Sequence, residues 1–188
     1  MKKINDWENI KEADEFTSIK PGGYIAYIKN IQDDTQKEYL KVSYDIKEGE
    51  FKDYYMNLYQ SQNFWGGAFY RSYKENAQSF FKGFITAVEK SNQGYKWDWN
   101  EQGLKGKLIG IVLQEEEYIP QQGKHAGEVR TRLIVQETRS VDEIRKGNYT
   151  VKEKKTLSNK KTSFEEDRKI DEMFDSNSFD ITEDDIEF

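Results

Sequence analysis

Aromatic rings set close to a cation recur along this 188-residue chain, and they are the residues best equipped for chemistry. Tyr39 and Lys41 stand two apart in a run that alternates like a strand, and Tyr54 and Tyr55 follow in the next one. Trp65, Tyr70, Arg71 and Lys74 gather around Gly66-Gly67, while Arg130 and Arg132, again two apart, point the same way from a later strand. A ring can take a flat ligand on its face while the neighbouring ammonium or guanidinium meets a phosphate. Gly66-Gly67 would let a backbone approach closely. Plainer accounts stand beside each group. Strands favour Tyr and carry Lys on a solvent face. The Trp65–Lys74 segment could equally be a hydrophobic plug closing one end of a barrel. Arg130 and Arg132 could pair with Glu115-Glu116-Glu117 on a neighbouring antiparallel strand.

The same inventory argues against an enzyme. There is no Cys and only one His, so thiolate, zinc and triad chemistry have almost no candidates. His125 lies between Lys124 and Ala126 with no motif around it and is expected in solvent rather than in a catalytic or metal site. The acidic runs Asp33-Asp34 and Glu115-Glu116-Glu117 read as solvated faces. No Walker motif or dinucleotide glycine fingerprint is present, so no cofactor is expected. The absence of Cys fits a reducing compartment, the N-terminus leads into no apolar signal core, and no stretch approaches the length needed to span a bilayer. The expected location is the cytoplasm, that of a host cell if a phage encodes the chain, with no membrane partner.

Charge divides the chain in two. Residues 165–188 hold 11 acidic and 2 basic residues, a net charge of -9, whereas residues 1–164 hold 27 basic and 24 acidic, a net of +3. The overall -6 thus hides a mildly basic body joined to an anionic tail. Like charges at that density repel, so a disordered linker and tail are expected over 147–188. The tail nevertheless ends on apolar residues, Ile186 and Phe188 beside Asp184 and Asp185. Such a tip suits a partner's hydrophobic pocket rimmed with Arg or Lys.

The elements that must position the rings lie over 20–146. Pro21-Gly22-Gly23 introduces a strand over 24–31, and Leu40, Val42, Tyr44 and Ile46 share one face of a second strand, with Tyr39, Lys41, Ser43 and Asp45 on the other. Phe51 to Tyr59 reads as a third strand, and Phe64 to Lys74 as a loop. Phe80, Phe81, Phe84, Ile85 and Val88 describe one face of a helix that Ser91-Asn92-Gln93-Gly94 stops. Tyr95 to Trp99 is a second aromatic patch, read as a connection or short hairpin. Strands over 104–118 and 128–138 follow, then a helical turn at Val141–Arg145 and a structureless basic stretch from Lys146 to Lys161. Residues 1–19, with Trp7, Ile10 and Phe16, read as a short helix or strap. Three strands, a helix and two strands make the order of a mainly β, OB-fold-like, five-stranded Greek-key barrel with its helix between strands 3 and 4.

Two resemblances bear on function. The tip Asp184-Asp185-Ile186-Glu187-Phe188 resembles the C-terminal tail of single-stranded-DNA-binding proteins, which ends in Asp residues, Ile or Leu, Pro and Phe; here Glu187 replaces the Pro. The body, over residues 20–150, resembles a family of small proteins encoded among the replication and recombination genes of phages and mobile elements of Gram-positive bacteria. That second likeness rests on Tyr39 to Tyr55 with Asp45-Ile46-Lys47-Glu48-Gly49-Glu50-Phe51, on Phe80-Phe81-Lys82-Gly83-Phe84-Ile85-Thr86, on Lys105-Gly106-Lys107-Leu108 and on Arg139-Ser140-Val141. Together they imply a non-enzymatic protein that binds single-stranded DNA with little sequence preference. Its tail would recruit replication or recombination proteins and compete for the groove when DNA is absent. A second copy of the chain is a further candidate partner. Two alternatives stay open: a strand-annealing or recombination accessory, and a protein-interaction module or inhibitor whose acidic tail mimics DNA.

Overall fold

The computed structural model describes residues 18–158. The strap expected over 1–19 falls outside them except for its last two residues, of which Ile19 is buried. The acidic tail, with Asp184, Asp185, Ile186 and Phe188, also lies outside the described residues.

The described chain is mainly β, a five-stranded antiparallel sheet with a helix after its third strand. Strands β1 (Gly22–Asp34), β2 (Tyr39–Ile46), β3 (Ala68–Ser72), β4 (Leu108–Tyr118) and β5 (Arg130–Arg139) stand in the order β3-β2-β1-β4-β5. Every adjoining pair is antiparallel. Three helices accompany them, α1 (Tyr54–Gln62), α2 (Gln78–Ser91) and α3 (Val141–Arg145). Among the described residues β3 and β5 are the two edges and the sheet is open.

Each face of the sheet has its own apolar cluster. On the inner face Ile28, Leu40, Val42, Tyr44, Ile46, Phe69, Ile109, Ile111 and Leu113 are buried against Phe84, Ile85, Ala87 and Val88 of α2. The alternation Leu40, Val42, Tyr44, Ile46 read from the sequence is the one that packs here. A bulge between Ile28 and Asn30 keeps it in phase, because Ile31 rather than Asn30 then falls opposite Val42. On the outer face Ile25 and Val112 pack beneath Val141 and Ile144 of α3, joined by Tyr149 and Val151. The Ser140 side chain accepts from the Glu143 N–H and so caps α3 at its N-terminus.

Tyr149 and Val151, in a stretch expected to be structureless, pack against this second cluster. The Tyr149 ring lies directly over Gly23, where any Cβ would collide with it. Further on, the Lys155 N–H donates to the Glu115 carbonyl at 2.9 Å and the Glu117 N–H to the Lys155 carbonyl at 2.8 Å. This segment completes the edge of β4 beyond Leu113, the last residue that β1 pairs. A basic composition suggested solvent; burial of Tyr149 and Val151 and these ladder bonds decide otherwise.

The third strand is also relocated. Phe51–Tyr59 does not form it; Tyr54–Gln62 is the helix α1, and β3 is drawn from the segment read as a loop. The reason lies in Asp45, whose carboxylate accepts from the N–H groups of Tyr55 at 2.9 Å, Met56 at 3.0 Å and Ile46 at 2.8 Å. Two of these are orphan donors of the first turn of α1. Asp53 precedes the helix in the left-handed region (φ 57°) and makes no side-chain cap, so Asp45 caps it from the neighbouring strand. A helix start fixed by a residue ten positions earlier overrides the strand preference of a Tyr-rich run.

Candidate nucleic-acid interface

Paired residues in a ladder share a face, so the register of β1, β2 and β3 identifies what the outer face presents. Lys41 stands directly opposite Tyr70, and Tyr39 opposite Ser72. The Tyr39 and Tyr70 rings meet edge to face, with centroids 5.0 Å apart. Three of the ten residues chosen from sequence as ring-and-cation candidates are thus brought together: Tyr39, Lys41 and Tyr70. The two tyrosines are half-buried, while Lys41 is only 9% exposed between them and Gln32. The sheet extends the group to Tyr27, which lies on the same face and carries the Lys47 ammonium 5.4 Å from its ring centroid. Burial beside the Asp45 and Asp53 carboxylates raises the Tyr27 hydroxyl above its ordinary value, so it stays protonated at neutral pH. Tyr27 and Lys47 were missed in the sequence. Tyr27 sits in the strand pattern, but its cation arrives from beyond the end of β2, which no spacing within one strand reveals.

The other candidates go elsewhere. Tyr55 is 5% exposed, with its ring against Tyr44, Tyr54 and Trp65 and its hydroxyl 3.4 Å from that of Tyr44. Burial pushes that hydroxyl up to about 12. Tyr54 opens α1 and packs edge-on against Phe51. Neither ring lies on a strand beside Lys41, as the expected third strand required. Trp65 is 3% exposed and donates its indole N–H to the Gly67 carbonyl at 3.1 Å. Its ring lies in the core cluster. Gly67 permits that packing, since a Cβ there would strike the Tyr44 carbonyl and the Tyr55 ring. The close approach that the glycine permits is made by the protein's own chain.

Arg71 alternates onto the inner side of β3, opposite Leu40, with its guanidinium 4.7 Å from the Phe69 ring centroid. Desolvation pulls its pKa down to about 10, which leaves it charged at neutral pH. Lys74 follows β3 just before a 3-10 turn. Arg132 makes the ion pair that composition suggested, two bonds of 2.9 and 2.7 Å to one Glu116 oxygen, and stacks 4.8 Å from the Tyr118 ring centroid. Arg130 is exposed, opposite Tyr118 near the tip of the β4–β5 hairpin.

His125 is in a loop with Nδ1 2.8 Å from a Glu128 carboxylate oxygen. Among the described residues no group of three His, Cys, Asp or Glu side chains could hold a metal ion, and no helix is long and apolar enough to cross a membrane. What the outer face of β1–β3 offers is half-buried tyrosine ring surface, with Lys41 buried among the rings and the exposed Lys47 ammonium beside Tyr27, suited to a flat ring and its phosphate. In comparisons with known proteins, the chain matches no protein-family model and no curated sequence.

Proposed function

We propose that this protein binds single-stranded DNA with little sequence preference, on the outer face of β1–β3, during replication or recombination of a phage or mobile element. The observation that carries the reading is the convergence of Tyr39, Lys41 and Tyr70 on one face of two paired strands. Rings take bases without regard to identity, each stack being worth about 1–3 kcal/mol, while lysines answer the backbone charge. The order β3-β2-β1-β4-β5 with a helix after β3 supports an OB-like barrel, in which strands 2 and 3 carry the ligand. Resemblance of the tail tip to that of single-stranded-DNA-binding proteins supports the second half of the reading. Asp184, Asp185, Ile186 and Phe188 recruit a replication or recombination protein, and the anionic tail competes for the lysines when DNA is absent.

Titration with oligo-dT across a salt series tests this, followed by intrinsic fluorescence, for the full chain and for a chain ending at Lys161. The expected result is binding by both, tighter for the shortened chain at low salt, with a log-log salt slope of about -0.7 per phosphate contacted. Failure of both chains to bind would end the proposal.

A further inference from the structure

One surface remains outside this account. Between α2 and β4 the chain presents Trp99, 83% exposed, with a positive φ of 65°. A bulky side chain in the left-handed region is a backbone outlier, and such strain persists only where the surroundings hold it. They do so here. On one side of Trp99 the Asp98 carboxylate accepts from the Asn100 N–H at 3.2 Å; on the other the Asn100 side chain accepts from the Gln102 N–H at 3.1 Å. One carboxylate of α2 anchors the segment, since Glu89 accepts the Trp97 N–H at 3.0 Å and lies 3.6 Å from the Lys96 ammonium.

Behind Trp99 stands a column of rings. Phe84, fully buried, touches Phe81 at 6.3 Å between centroids; Phe81 touches Trp97 at 6.2 Å, and Trp97 touches Trp99 at 6.1 Å. The exposed indole is therefore the outer end of a stack rooted in the core, not a side chain on a loose loop. Phe81 also meets Tyr73, which directly follows β3, so the column stands on the inner side of the strand whose outer side bears Tyr70. A cation stands at the start of the same segment, where the Lys107 ammonium sits 4.7 Å from the Tyr95 ring centroid.

We infer that Trp99, backed by Trp97, is a second stacking site for the same single-stranded DNA, taking an unpaired base on its exposed ring while Lys96 and Lys107 meet the flanking phosphates. The inference rests on the proposed DNA binding at β1–β3 and extends it to a second element. Held ready by Asp98, Asn100 and Glu89, the indole needs little ordering on binding.

The test uses the full chain and fluorescein-labelled dT30, with anisotropy read across salt. Three variants are compared with the unaltered chain: Trp99→Ala, Trp99→Phe and Tyr70→Ala. Trp99→Ala is expected to weaken binding about 5- to 100-fold with an unchanged salt slope, since a stack but no charge is lost, and Trp99→Phe to recover most of it. The exposed position of Trp99 predicts an unaltered melting temperature, which separates lost contact from lost fold. Full affinity in Trp99→Ala beside a loss in Tyr70→Ala would overturn this inference alone. An unaltered chain that does not bind dT30 would overturn the DNA reading and this site with it.

Discussion

The two halves of the outer face are built from the same sheet and treated in opposite ways. Over β1 and β4, Ile25 and Val112 point outward and are sealed by Val141, Ile144, Tyr149 and Val151. Over β2 and β3 the outward positions include Tyr39, Lys41, Ser43 and Tyr70. The β1–β4 half must be covered because two aliphatic side chains lie there, each worth about 1.5–3 kcal/mol once buried. The β2–β3 half has rings with polar tips and an ammonium, which tolerate water at one end and apolar contact along the other. A strand's outward residue types thus decide whether the chain spends a helix and a following segment on covering it or leaves its rings half-exposed.

Mutation should separate the halves, and the largest effect belongs to the sealed one. Val112→Asp would place a carboxylate beneath α3 without a partner, at a cost of about 4 kcal/mol or more, so the protein should melt far below the unaltered chain or not fold. A thermal melt within a few degrees of wild type would show that α3 with Tyr149 and Val151 is not a true seal. Next comes Asp45, which caps α1 from β2. Asp45→Asn removes one of the two acceptor oxygens serving three N–H groups and should cost about 2–4 kcal/mol by denaturant titration.

Asp45 also carries a pH dependence. Its carboxyl is raised above the ordinary 3.8, chiefly by desolvation and against the opposing pull of its three N–H donors. The folded state therefore holds this proton more tightly than the unfolded chain does. Its contribution is complete below 3.8 and is lost as pH rises through the raised folded value. The advantage of wild type over Asp45→Asn should accordingly shrink as pH climbs above about 4. An advantage that grows over that range would reverse the sign assigned to the site.

On the β2–β3 half the expected effects move from stability to binding. Tyr70→Ala should change the melting temperature little and weaken oligo-dT binding about 5- to 100-fold, and the same change at Tyr39 should be less than additive with it because the rings touch. Full additivity in the double-mutant cycle would mean that the two rings act on separate bases. Smallest of all is Arg130→Ala. Exposed near a hairpin tip, it should leave stability within about 0.5 kcal/mol, and if the side chain meets a phosphate the salt slope should fall by about 0.7. A large loss of stability would place Arg130 in the fold rather than on the surface.

The sequence alone determined what short-range periodicity can carry. The faces of β2 follow from strict alternation, and the apolar face of α2 from Phe84, Ile85 and Val88. Even there Phe80, grouped with that face, is 60% exposed. The turn at Val141–Arg145 and the pairing of Arg132 with the Glu115–Glu117 run were also legible, since both depend on neighbours in the chain or across one hairpin. Of the site, Tyr39, Lys41 and Tyr70 could be chosen by residue type, but not told apart from Tyr55 and Trp65.

Only the tertiary structure decided that separation. Asp45, from a strand, fixes the start of α1 and so turns a Tyr-rich run from strand to helix. Residues around Gly66-Gly67 become core and strand only because Gly67 fits between Tyr44 and Tyr55 and Phe69 faces the core. The strap over 147–158 is held by Gly23 and by the unpaired edge of β4, neither visible from its own basic composition. Periodicity reports which residues share a face of one element; which face meets the core, and which residues far along the chain complete it, depends on contacts between elements, and these exist only once the chain has folded.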